Sequence, residues 1–243
     1  MSQDTAQPLL TVRGLEFAFG GRRVLDVGQL GIARGEAILL VGDNGSGKTT
    51  LLKILAGLLI AARGEFTCLG STMPPRTAAR FCRGRHVYLH QSPYMFDGTV
   101  EENIAYGLKQ RGRDSAQQRI EIRDMLAWAE LGHLVHRPAR QLSTGEKQRV
   151  ALTRARILAP SLLLLDEITA NMDADSRRRT HTMIADLRRA GSSVVFATHD
   201  HAPLEALCDQ RLELAGGQLV DAPVAAGADV IPLRRDGVTT EPR

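Results

Sequence analysis

The stretch Gly42 to Thr49, GDNGSGKT, constrains this chain more than any other segment, because it fits GxxxxGK[ST] and lies between the apolar run Ala37 to Val41 and the helix-patterned KTTLLKILAGLL. A strand, a glycine-rich turn and a helix start follow one another there. Gly42, Gly45 and Gly47 can take backbone angles closed to other residues, so successive N–H groups from Gly42 through Asp43, Asn44, Gly45, Ser46 and Gly47 can wrap a phosphate chain. Lys48 would supply a point charge to the terminal phosphates and Thr49 a hydroxyl to a magnesium ion, with Thr50 in the same first turn. The positive end of that helix, worth about half an elementary charge, faces the same anion.

The 243 residues suit one large domain with a core that needs neither disulfides nor metal. The start, MSQDTAQP, is acidic and lacks an apolar core, and the longest greasy stretch, Leu51 to Ala62, is interrupted by Lys53. We therefore expect no secretory signal, no membrane span and a cytoplasmic protein. Cys68, Cys82 and Cys208 are scattered and form no CxxC pair, which predicts buried or incidental thiols and neither a zinc site nor a disulfide framework. The net charge of +4 comes from arginines spread along the chain, a solvated surface with a mild basic bias and no nucleic-acid site.

Taken in order, Leu9 to Phe19 alternates in the strand manner, closes on Gly20-Gly21, and Val24 to Ile32 pairs back. Phe19, at a strand end beside glycines, reads as core or as a flat ring that stacks on a base. Arg63-Gly64-Glu65 reads as a turn into a strand Phe66 to Leu69, and Pro74-Pro75 precedes a helical turn. The strand His86 to His90 ends on Gln91, a ligand contact or a solvated loop start. Pro93 to Gly98, PYMFDG, is a partner patch or a loop anchor, and Thr99 to Glu102 is a capping box. Helical spacing runs from Ser115 to Leu131, with Trp128 in the core or at a subunit contact. Ser143 to Glu146, a second capping box, opens a helix to about Leu158. Leu162 to Leu165 is a buried strand ending on Asp166-Glu167, adjacent carboxylates that need a cation or a proton to handle. A helix Asp173 to Ala190, a strand Ser193 to Thr198 ending on His199, and a hairpin around Gly216-Gly217 follow. A loose tail is expected over 221–243.

Together these motifs, in this order, resemble the ATP-binding cassette subunit of an ABC transporter over roughly Leu9 to Leu219. GDNGSGKT matches Walker A, Gln91 the Q-loop, LSTGE at Leu142 to Glu146 the signature, LLLLDE at Leu162 to Glu167 Walker B, TANMD at Thr169 to Asp173 the D-loop and His199 the switch histidine. The resemblance implies an α/β P-loop NTPase fold with an antiparallel β subdomain and an inserted α-helical subdomain at about 92–158, the cassette spanning 9–220. It implies ATP and Mg2+ as cofactors: Asp166 would hold magnesium through water, with Thr49 and Gln91 completing an oxygen shell. Glu167 would orient and deprotonate the attacking water, His199 would read the γ-phosphate, and Phe19 with Val24 would pack on adenine.

In one chain the LSTGE turn should lie far from its own phosphate loop. The resemblance implies a head-to-tail dimer in which Ser143, Thr144, Gly145 and Glu146 close on the partner's ATP. The chain departs from the family pattern at Thr144, usually glycine, at Ile168, usually proline, and at His90, often aromatic. With one cassette and no membrane segment, it resembles importers built from separate chains, with permease subunits, a solute-binding protein, and a place on the cytoplasmic face of the inner membrane. Tyr94, Met95 and Phe96 are the candidate permease contacts. The text HQSPYMFDGTVEENIAYGL resembles importers of tungstate, molybdate or phosphate. The alternative is a soluble or regulatory ABC ATPase acting on a scaffold; a repair or translation ATPase would carry a coiled-coil insertion or second cassette, which these residues do not contain.

Overall fold

The computed structural model describes residues 8–109, 115–199 and 204–221; His201 and the tail expected loose, from Ala222 on, lie outside them. The chain opens as a long antiparallel ribbon, β1 (Pro8–Phe19) against β2 (Arg22–Ala33). Gly20 and Gly21 connect them with φ of 55° and 83°, the positive pair that matches the twist of a tight hairpin. β4 (Arg63–Cys68) and β5 (Ser71–Met73) extend this sheet in the order β2-β1-β4-β5. The turn expected at Arg63-Gly64-Glu65 is strand instead: Arg63 pairs with Glu16 and Glu65 with Arg13 across an irregularity in β1. Gly64, at φ 133°, leaves room there for Leu15, whose Cα would lie 3.2 Å from an added Cβ. The glycine marks a close backbone approach within the ladder, not its end.

The second sheet runs β10-β9-β3-β8-β7-β6, where β3 is Ala37–Val41, β6 His86–His90, β7 Leu162–Asp166, β8 Ser193–Ala197, β9 Gln210–Ala215 and β10 Gln218–Asp221. β3, β6, β7, β8 and β9 are parallel neighbours. β3, β7 and β8 are buried at every residue, as parallel strands covered on both faces must be. Alternation divides them between two cores. Ile38, Leu40, Leu162 and Leu164 face α1 (Lys48–Leu55) and the ribbon, while Leu39, Val41, Leu163 and Leu165 face four other helices. Those helices are α3 (Val100–Lys109), α4 (Ser115–Trp128), α5 (Thr144–Leu158) and α6 (Ala174–Arg189), and they share one apolar cluster with the sheet.

The helix expected to run through KTTLLKILAGLL stops at Leu55. Gly57, at φ 74°, lies so close to α2 (Pro75–Cys82) that a Cβ would sit 2.2 Å from the Ala79 carbonyl, so tertiary crowding ends the helix early. Of the three cysteines Cys68 and Cys82 are buried, as one of the two readings expected, and they share a hydrogen bond, which pushes the Cys82 thiol up. Ile168, where the family pattern has proline, is a buried member of the helix-side core.

Candidate active site

The parallel strands deliver their polar exits to one edge. Register sets Leu40 beside Ala197, Ala197 beside Asp166, and Asp166 beside His90, so the phosphate loop, the two carboxylates, His199 and Gln91 leave neighbouring strands together. The loop needs its glycines twice over. Gly42 sits at φ 149°, and a Cβ there would meet the Leu214 carbonyl at 2.2 Å; Gly47, at φ 108°, would meet the Leu25 side chain at 2.7 Å.

Lys48 is buried to 8% exposure, and its ammonium donates to the carbonyls of Gly42 at 2.5 Å and Asp43 at 3.0 Å. Ser46 Oγ is buried in the same loop without a hydrogen-bond partner, a donor-acceptor kept for something the chain does not supply. A cavity of about 230 Å³ opens here, lined by Val24, Asn44, Gly45, Gly47, Lys48, Thr49, Thr50, Asp166 and Glu167. His199 and Asp43 line an adjoining cavity of about 340 Å³ with Asn44 and Arg211. Phe19 is 55% exposed at the hairpin end and meets Phe17 edge-on, so its free face is offered to solvent.

Asp166 is 3% exposed, and its Oδ2 accepts two hydroxyls, Thr49 and Tyr88, each at 2.7 Å. Burial and that carboxylate push the Tyr88 phenol up, so it stays a donor. Glu167 leaves the strand at φ 54°, a left-handed conformation unfavourable for a glutamate by about 1–3 kcal/mol and typical of positions held for function. Its backbone N–H donates to Ala197, while its Oε1 accepts from the His199 N–H at 3.0 Å and lies 2.8 Å from His199 Nδ1; Oε2 accepts from Thr198 at 3.1 Å. Glu167 and His199 are thus paired with each other.

This donor set fits magnesium. Thr49 and Asp166 offer hard oxygens, and among the described residues no three His, Cys, Asp or Glu side chains gather to hold a metal alone. Magnesium suits such a site because it takes one or two carboxylates, substrate phosphates and retained waters.

Gln91 is tied down by a residue that sequence reasoning missed. Gln148, fully buried on α5, donates its amide to the carbonyls of His90 at 3.0 Å and Gln91 at 2.7 Å. Its position between Gly145 and Leu152 on the buried face of α5 was the available signal, as was the lone hydroxyl of Tyr88 in HVYLH. The LSTGE turn stands apart: none of Ser143, Thr144, Gly145 or Glu146 lines the phosphate cavity. Ser143 Oγ accepts from the Glu146 N–H and Glu146 returns a carboxylate to the Ser143 N–H at 2.7 Å. Burial raises the Glu146 carboxyl, but the Ser143 hydrogen bonds, with Arg137 and Arg149, outweigh it and leave the group below its ordinary range. Gly145 packs on α6, where a Cβ would meet Ser176 Oγ at 2.7 Å.

Beyond Gln91, a groove of about 260 Å³ is lined by Val87, Leu89, Tyr94, Phe96, Tyr106, Arg154 and Leu158, among others. Tyr94 is 69% exposed and Phe96 stacks near Tyr106, but Met95, expected beside them, is buried in the helix-side core at 6%. Trp128 donates to Asp186 at 2.7 Å under the Arg156 guanidinium.

Among known proteins, the family model described as ABC transporter matches residues 25–170. A putative ABC transporter ATP-binding protein of Brucella suis is 36% identical over 219 residues, 89% of this chain and 90% of that protein. The cobalt import ATP-binding protein CbiO of Rhodobacter capsulatus is 34% identical, covering 90% of this chain and 80% of its own length. Among solved structures, cbiO1 of Clostridium perfringens, part of the transporter complex cbiONQ, superposes with a TM-score of 0.79 at 25% identity over 88% of this chain and 87% of its own.

Proposed function

This chain belongs to the ABC transporter family as an ATP-binding, ATP-hydrolysing subunit, and on that premise we propose that two copies close head to tail on two ATP molecules and power import of a small solute. The observation that carries this is the split of the chemistry: one chain's strand ends hold the phosphate loop and both carboxylates, while its LSTGE turn lies outside that cavity. The second chain's Ser143, Thr144, Gly145 and Glu146 complete the pocket in this reading.

On nucleotide binding, Lys48 exchanges the Gly42 and Asp43 carbonyls for phosphate oxygens. The loop N–H groups and Ser46 hydroxyl cradle the chain, while Phe19 and Val24 cover the base. Thr49 and Gln91, with Asp166 through water, would hold magnesium, which would neutralise charge on the phosphates. Glu167 orients water and takes its proton, and His199 passes from Glu167 to the γ-phosphate. General-base action of this kind is worth roughly 10² to 10⁴ in rate.

The groove of Tyr94, Phe96 and Tyr106 supports transport over the scaffold alternative. Exposed aromatics around an apolar hollow suit a helix offered by a membrane subunit. The cassette of 9–220, with a helical part at about 92–158, thereby sits peripherally on the cytoplasmic face of the membrane, with a solute-binding protein supplying cargo. Oxyanions such as tungstate or molybdate are the cargo read from the sequence, and cobalt belongs to a relative's name; uptake by the reconstituted complex separates the two. The decisive test is Glu167→Gln. It should retain ATP, accumulate as an ATP-dependent dimer and release almost no phosphate; ordinary turnover would remove Glu167 as the base, and a monomer with bound ATP would remove the closure.

A further inference from the structure

Asp166 sits at the carboxyl end of β7 with almost no exposure, and a carboxylate there rotates freely unless its oxygens are held. Thr49 is one holder, but its oxygen lone pairs are also those offered to the metal. Tyr88 is the other. It rises from the neighbouring strand β6 in register with Leu164, its ring packs on the ribbon-side core, and its hydroxyl reaches the same Oδ2 at 2.7 Å. Both hydrogen bonds described for Asp166 fall on Oδ2, which leaves Oδ1 to turn toward a metal-bound water.

We propose that Tyr88 is a positioning residue for the magnesium site: its hydroxyl sets the plane of the Asp166 carboxylate and touches neither nucleotide nor metal. The inference rests on the ATPase reading of this site. A phenol on a rigid strand is suited to the task because it reaches across one inter-strand spacing and, unlike Thr49, has no second duty. Partners of metal-binding groups commonly govern affinity by about 10- to 100-fold when removed.

The test compares wild-type protein with Tyr88→Phe, which keeps the ring and loses only the hydroxyl. Binding of a fluorescent, non-hydrolysable ATP analogue is titrated in EDTA and then against Mg2+, and Mn2+ bound to the nucleotide complex is followed by electron paramagnetic resonance. Tyr88→Phe should bind nucleotide in EDTA as wild type does, require about tenfold more Mg2+ for half-saturation, and give an altered Mn2+ spectrum. Tyr88→Leu should share the metal defect. An unchanged Mg2+ requirement and Mn2+ spectrum would overturn the proposal, and so would equal weakening in EDTA, which marks a merely structural role. If Mg2+ has no effect on wild-type binding, the magnesium site falls together with the positioning role built on it.

Discussion

Two polar regions of this molecule, the strand-end site and the LSTGE turn, differ in how their polar groups are satisfied. At the strand ends, Thr49 is bonded to Asp166, and Glu167 to Thr198 and His199, across β3, β7 and β8 at distances set by the sheet, while Lys48 turns back onto the Gly42 and Asp43 carbonyls of its own loop. At the start of α5, Ser143 and Glu146 satisfy one another within a single helical turn, and Gly145 is explained by Ser176 against it. The first region has an orphan, Ser46 Oγ, and a cavity; the second is a finished helix cap. In the proposed dimer a motif fully accounted for by local structure would act only against another molecule.

The sharpest attempt to break this contrast is complementation. Glu167→Gln disables the first region and Ser143→Ala combined with Gly145→Val the second, and each alone should lose about 10²-fold or more in turnover. Mixed one to one, they form heterodimers with one intact composite pocket, so about a quarter of wild-type phosphate release should return. No recovery would mean that the regions do not meet between chains.

Next in size is Gln148→Leu. It leaves the carbonyls of His90 and Gln91 without their donor, at about 1–3 kcal/mol. Denaturant unfolding should show that loss, and turnover should fall further than ATP affinity, because the strand exit bearing Gln91 loosens while the phosphate loop does not. Equal losses in both would make Gln148 a core residue alone.

Phe19→Ala should weaken ATP binding by on the order of 1 kcal/mol through lost base stacking, measured calorimetrically. Since Phe19 is 55% exposed, its removal should cost little stability. Unchanged affinity would return Phe19 to the hairpin alone.

The shallowest expected effect is on pH and involves neither region. His86 is kept below its ordinary value of 6.5 chiefly by burial, offset by its hydrogen bond with the Leu55 carbonyl, and His181 is lowered by burial and Arg177. The unfolded chain takes up protons that these folded imidazoles refuse, so stability is full above the unfolded value and declines as pH falls below it. Melting temperature should drop between about pH 7 and pH 5, and the slope should flatten in His86→Gln. A flat profile in the wild type would remove the buried neutral His86.

Much of this was legible in the chain. Strands β3, β7 and β8 were announced by short uninterrupted apolar runs, and each polar exit residue named its strand's end. The capping boxes at Thr99 and Ser143 need only neighbours within one turn, so they too could be read directly. Gly64 was misread because a glycine in a turn and a glycine at a close approach within a ladder look identical in text. Met95 was misplaced because a loop has no period from which to tell which way a side chain points. Tyr88, Gln148 and the Cys68–Cys82 pair were missed because their partners lie far along the chain.

The sequence alone determined the order of elements, the phosphate loop and the identity of the strand-end groups, because those follow from local sterics and from the spacing of apolar residues. Only the tertiary structure decided that Asp166 holds two hydroxyls, that Glu167 pairs with His199 in a left-handed backbone, and that α5 is stitched to the strand bearing Gln91. Those are contacts between residues brought together by strand register and helix packing, and no one-dimensional pattern carries them.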